Sequence, residues 1–192
     1  MNKYIPGIVI GVVVGVIFGF LMSYVFPDGP QPIFYGAGAA IFVAYIASNL
    51  AGNKKVPKAS DAEKQAALAM TPPPGKALLY VFREGFVAKL AGLNLQIDGR
   101  EFAQLTAPKF TYVVLPPGPH TLTCGFGGLA GPQSKKGAYE FSAPPDSTAA
   151  VGIGVSMGLV QGNMKFTPIT DPAAAKAKLA SMPMIAASPA EI

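Results

Sequence analysis

The chain carries one histidine, His120, and one cysteine, Cys124. Such a pair is raw material for an activated thiol nucleophile or for half of a zinc site. Their spacing excludes both. On a strand, residues four apart share a face but lie ~13 Å apart at ~3.3 Å per residue. His120 beside a turn is instead expected to cap backbone groups, and Cys124 on an apolar strand to pack as a small hydrophobe. Residues Gly125-Phe126-Gly127-Gly128-Leu129-Ala130 fit the pattern GxGxxA after an expected strand, and Asp146 follows. A dinucleotide site needs a helix to open there and present its N-terminus to the pyrophosphate. Gly131-Pro132 and the polar run to Gly137 are loop sequence, so this match is not expected to bind a nucleotide. Between residues 76 and 170 the carboxylates are Glu84, Asp98, Glu101, Glu140 and Asp146, with no paired arrangement for acid–base work. Arg83 beside Glu84 reads as a solvated strand edge or a cross-strand pair. No enzyme activity, cofactor or metal is expected.

The elements that hold these residues follow from composition. Hydrophobic residues make up 51% of the 192 and charged residues 13%, about half the charged share of a soluble domain. The deficit is local: residues 4–27 and 29–53 contain no charged side chain. At ~1.5 Å per residue each stretch can cross ~30 Å of hydrocarbon. Two transmembrane helices are expected, at about residues 4–27 and 33–52. A cleaved signal peptide would have a shorter apolar core and a small-x-small site, whereas this run ends in Phe26-Pro27-Asp28. The net charge of +5 is dispersed, with no basic face interleaved with aromatics, so nucleic acid is not an expected partner.

Orientation follows from the flanks. Lys3 precedes the first apolar stretch, Asp28 lies in the connection, and Lys54, Lys55 and Lys58 follow the second. Both termini are expected in the cytoplasm of a bacterium, in a multi-pass protein of the inner membrane. The three lysines are also placed to contact anionic headgroups.

Ser60-Asp61-Ala62-Glu63 matches a capping box, opening a short helix to about Met70 that Thr71-Pro72-Pro73-Pro74-Gly75 ends. Residues 54–75 therefore form a basic, proline-rich linker. From Lys76 to Thr170, short apolar runs alternate with turn residues. Strands are expected at Ala77–Arg83, Leu93–Ile97, Arg100–Leu105, Phe110–Leu115, His120–Phe126, Ala138–Phe141, Ala149–Val155 and Leu159–Phe166, with Asp98-Gly99 as a hairpin turn. The run at 149–160 is too short to span a membrane. This pattern predicts an all-β sandwich of about seven to eight strands. Asp171 as N-cap and Pro172 at the first helical position open a last helix to about Met182, within a C-terminal segment of residues 171–192 whose tail is expected to fray.

The runs "ALLYVFR", "LNLQIDGREFAQL" and "FTYVVLPPGPHTL" resemble a bacterial domain-of-unknown-function family of small prealbumin-like β-sandwiches found on lipoproteins and inner-membrane proteins. Tyr80, Arg83, Asp98, Gly99, Arg100, Tyr112, Pro117, Gly118, His120 and Thr121 occupy the motif positions, and Pro119 departs from them. The resemblance implies a sandwich fold and carries no activity.

The first apolar stretch has a regular row of small residues, Gly7, Gly11, Gly15, Gly19 and Ser23; the second has Gly36, Ala40, Ala44, Ser48 and Gly52. Lipid gives helices no hydrophobic reason to associate, so close approach depends on such rows. Folding about Gly29-Pro30 sets Gly19 level with Ala40, Gly15 with Ala44, Gly11 with Ser48, Gly7 with Gly52 and Ser23 with Gly36. The alternative is that one row binds a second copy or a partner helix. The chain is thus expected to be a membrane α-helical hairpin (residues 1–53) plus an all-β sandwich (76–170) with a short C-terminal helix. The expected role is a non-catalytic interaction or accessory module of an inner-membrane complex, with the bilayer and a membrane protein or a second copy as partners. A periplasm-facing structural domain is the alternative. A ligand-binding domain or enzyme using the Gly125–Gly137 loop is a more distant one.

Overall fold

In the computed structural model, residues 4–127, 136–157 and 162–186 are described. They form two compact units, an N-terminal helical hairpin and a β domain that begins at Lys54.

The hairpin consists of α1 (Ile5–Val25) and α2 (Pro32–Leu50), both long and apolar enough to cross a bilayer. Each starts with a proline in its first turn, where the missing N–H leaves no hydrogen bond unmade. The buried residues of α1 are Gly7, Gly11, Gly15 and Gly19. Its Val, Ile and Phe side chains point outward and are exposed. A water-soluble helix does the reverse, burying large side chains and exposing polar ones.

The β domain contains, among the described residues, eight strands in two four-stranded sheets. These are β1 (Ala77–Glu84), β2 (Leu93–Ile97), β3 (Arg100–Leu105), β4 (Lys109–Leu115), β5 (Gly118–Phe126), β6 (Gly137–Ala143), β7 (Thr148–Met157) and β8 (Gly162–Ile169). One sheet runs β4-β1-β7-β8 and the other β3-β2-β5-β6. All pairings are antiparallel except β1 with β7, which is parallel. Asp98 and Gly99 both have positive φ, 50° and 81°, as a two-residue hairpin turn requires.

The chain buries both faces of β1. Leu79 and Val81 join Leu93, Leu95, Ile97, Leu105, Leu115 and Leu122 between the sheets. Leu78, Tyr80 and Phe82 point the other way, under α3 (Asp61–Ala67) and α4 (Pro172–Ala180). Burial on both faces is why this strand is a continuous apolar run and does not alternate. Beside it, Gly152 of β7 leaves room for the Phe82 ring, which a Cβ there would meet at 2.6 Å.

Both helices are capped by their own sequence. Glu63 N–H donates to Ser60 Oγ (3.2 Å) and Ser60 N–H to the Glu63 carboxylate (2.6 Å), completing the capping box. Asp171 accepts from the N–H groups of Ala173 and Ala174, both at 3.1 Å. Lys64 donates to Ala180 O at the end of α4 (2.7 Å), where the helix dipole favours a cation.

The start of the tail expected to fray, residues 183–186, is instead docked, and residues 187–192 lie outside the described residues. Met184 and Ile185 are buried, Ile185 N–H donates to Phe110 O, and Ala59 N–H donates to Met184 O. The outer edge of β4 carries backbone groups that need partners, and this segment supplies them.

Candidate functional site

In the hairpin, the α1 glycines lie against α2 backbone. A Cβ at Gly15 would sit 2.5 Å from Gly36 O and 2.6 Å from Ala40 Cβ. At Gly19 it would sit 2.5 Å from Pro32 O, and at Gly11 2.7 Å from Ala40 O and 2.8 Å from Ala44 Cβ. Gly7 is looser, with Ala47 Cβ at 3.0 Å. Gly36, Ala40, Ala44 and Ser48 therefore face the glycine row, but in a different register from the symmetric fold. Gly15 meets Ala40 rather than Ala44, and Gly19 meets Gly36 rather than Ala40, an offset of four residues. The cause lies at the turn, where α2 opens with the Pro32 carbonyl already over Gly19. Ser23 Oγ donates to Phe20 O in its own helix (2.8 Å), and Gly52 lies beyond the end of α2.

Of the linker lysines, Lys54 is committed to the β domain. Its ammonium pairs with Glu101, and its N–H donates to Gln104 Oε1 (2.6 Å). Lys55 and Lys58 are exposed.

Tyr80 and Arg83, two expected motif residues, are structural. Tyr80 OH donates to Ala67 O (2.5 Å), and its ring packs 5.6 Å from that of Tyr112. Arg83 corrects the expectation of a solvated edge: its exposure is 0%. Its guanidinium donates to three carbonyls, those of Ala91, Leu105 (3.0 Å) and Ala88 (2.7 Å), and lies 5.4 Å from the centre of the Phe126 ring. Glu84 pairs instead with Lys178 (2.5 Å). Burial pulls the Arg83 pKa down to about 10, still high enough to keep the cation. Two of the three carbonyls belong to the loop between β1 and β2, which Arg83 therefore braces. On that loop Phe86 is 88% exposed and Leu90 66% exposed.

The other motif residues meet at one corner. His120 Nδ1 lies 2.6 Å from Asp98 Oδ2, and His120 Nε2 lies 2.9 Å from Pro116 O. The second Asp98 oxygen accepts from Thr121 N–H (2.8 Å). Gly118, at φ 140°, follows Pro117 in the turn below. Protonated, the imidazole donates from both nitrogens and ties the β2–β3 turn to the β4–β5 turn. Burial works against the imidazolium, but the hydrogen bonds to Asp98 and Pro116 O outweigh it and raise the His120 pKa above 6.5. Burial also opposes the Asp98 carboxylate, but the bonds from His120 and Thr121 hold its pKa below 3.8. The His120 contribution to stability is complete below pH 6.5 and disappears as pH rises through its elevated pKa. The Asp98 contribution is complete above pH 3.8 and disappears as pH falls through its depressed pKa. Thermal unfolding of the full chain is expected to show greatest stability between these limits, and Asp98→Asn to flatten both limbs. An unchanged pH profile in that variant would show that the clamp does not contribute.

No protein-family model and no curated protein matches the chain.

Cys124 sits on β5 with His120 but has separate company, its Sγ 3.0 Å from Met164 Sδ. Cys124 is buried, and burial pushes its thiol up to about 12, so it packs as a protonated thiol at neutral pH. Asp146 accepts from Gly75 N–H (2.7 Å) in the turn before β7. Of the GxGxxA match, Gly125 and Phe126 end β5, and residues 128–135 lie outside the described residues.

The two sheets close at one end, where a Cβ at Gly137 would meet Met164 and Phe166 at 2.9 Å. At the other end there is a cleft of about 310 Å³. Leu79, Leu115 and Val151 line it with Tyr139 and Phe141, and Ser142, Ser147 and Thr170 add hydroxyls. It is at the small end of the range for ligand pockets.

Proposed function

We propose that the chain is a membrane-anchored, non-catalytic interaction or accessory module of a bacterial inner-membrane complex. The hairpin is the anchor, spanning twice with both termini in the cytoplasm, and the β domain presents the interaction surface. One observation carries this: the polar side chains best suited to chemistry are committed to holding the fold. Arg83 bonds three backbone carbonyls, and Asp98 and His120 bond each other and the turns beside them. In-membrane crosslinking of the full chain, followed by purification from native bacterial membranes, tests it. A partner or second copy at fixed stoichiometry is expected. A monomer carrying a small molecule would overturn it.

A second reading, small-ligand binding, is favoured by the cleft between the sheets. Its apolar floor and hydroxyl-bearing rim suit a small amphipathic molecule.

A further inference from the structure

Among the described residues, the large apolar side chains most exposed on the β domain are Phe86 and Leu90; every other one lies in the hairpin. Both sit on the loop at residues 85–91, and Lys89 lies between them, also exposed. The loop has a fixed shape. Gly85 and Ala88 adopt positive φ, 95° and 52°. Lys89 N–H donates to Phe86 O, Ala91 N–H donates to Ala88 O, and Arg83 holds the Ala88 and Ala91 carbonyls. A buried arginine thus holds an exposed apolar pair in a fixed outward position.

The position of the loop in the β domain identifies one. Lys54 follows the last residue of α2 by four positions, so it lies within ~14 Å of that helix end along the chain. Lys54 docks at once on β3, through Glu101 and Gln104. The loop is fastened beside Gln104, to the end of the same strand and the residues just after it. Arg83 donates to Leu105 O, and Ala107 N–H donates to Lys89 O (3.1 Å). Charge points the same way. The nearby carboxylates, Glu84 and Glu101, are paired with Lys178 and Lys54, while Lys55, Lys58 and Lys89 are exposed.

We propose that this loop docks on the surface of an anionic bilayer. Phe86 and Leu90 enter the boundary between headgroups and acyl chains, and Lys89 meets lipid phosphates, the combination that holds amphipathic segments at interfaces. The inference rests on the hairpin being the membrane anchor.

The chain contains no tryptophan, so one introduced indole reports without background. Full-length Phe86→Trp and, separately, Ile17→Trp are reconstituted into vesicles of phosphatidylcholine with a quarter phosphatidylglycerol, with and without bromine on the acyl chains, placed near the headgroup for Phe86→Trp and near the chain ends for Ile17→Trp, which lies near the middle of α1. Phe86→Trp is expected to emit to the blue of a water-exposed indole and to be quenched by the brominated lipid. A red, unquenched Phe86→Trp beside a quenched Ile17→Trp would overturn the loop proposal alone. A blue but unquenched Phe86→Trp would overturn it in favour of a protein surface. If Ile17→Trp is unquenched as well, the anchor reading fails and this proposal with it.

Discussion

Replacing Gly15 with alanine is expected to open the hairpin, although it adds one methyl group to a helix that alanine would otherwise favour. The new Cβ would lie 2.5 Å from Gly36 O and 2.6 Å from Ala40 Cβ. Neither can move aside by changing a rotamer, because one is backbone and the other is fixed to it. The helices must separate, and overpacking of this kind costs about 1–3 kcal/mol. In lipid no hydrophobic term refunds the loss, since association there depends on close packing. Gly15→Leu extends the effect to complete separation. Gly38 supplies the control: no atom lies within 4 Å of its Cβ position, so Gly38→Ala is expected to be neutral or to gain up to about 1 kcal/mol in helix propensity. Gly7→Ala, with its nearest contact at 3.0 Å, falls between them. Protease protection and reversible unfolding of the full chain in bicelles measure the series. If Gly15→Leu accumulates and resists protease like the unaltered chain, the row does not hold the helices together.

Arg83→Met is expected to be the most damaging conservative change in the β domain. Methionine fills much of the volume but abandons the carbonyls of Ala88, Ala91 and Leu105. A buried polar group left without a partner costs about 1–3 kcal/mol. Only the Leu105 carbonyl is fully buried, so the expected loss is about 1–3 kcal/mol, a large part of the stability of an ordinary domain. Arg83→Lys is expected to restore little, because an ammonium cannot reproduce a planar fork that reaches three carbonyls. The loop gives a local readout. Tryptic cleavage after Lys89 should accelerate in Arg83→Met at temperatures where the rest of the chain is still folded. The opposing effect is the cost of burying a cation without a carboxylate partner, visible in the depressed pKa of about 10. If Arg83→Met equals or exceeds the unaltered chain in stability, that cost dominates and the side chain is not a brace.

These two residues also mark what was legible in the sequence. The glycine row could be read because periodicity of residue size survives in one dimension, and its four members are the buried residues of α1. The register could not. It depends on where α2 starts relative to the end of α1, and the placement of Pro32 over Gly19 leaves no mark in spacing. The end of β2 and the start of β3 could be placed to the residue because the Asp98-Gly99 turn lies between them. The parallel partnership of β1 with β7 joins segments about 70 residues apart, and no local signal encodes it. Arg83 could not be read as buried because adjacent Glu84 offers an obvious partner; in the fold that carboxylate turns to Lys178. His120 was legible as a turn residue, but its carboxylate partner comes from a different hairpin. The exposed pair Phe86 and Leu90 left a faint trace, two large apolar residues inside a glycine-bounded turn.

The most direct test of the whole account is the side of the membrane on which the β domain lies. Fusions of alkaline phosphatase and of a fluorescent protein to the C-terminus of the full chain, expressed in bacteria, read it without purification. A hairpin that crosses twice with its lysines inside predicts a fluorescent fusion and an inactive phosphatase. Active phosphatase at that end would contradict both the orientation and the cytoplasmic module built on it.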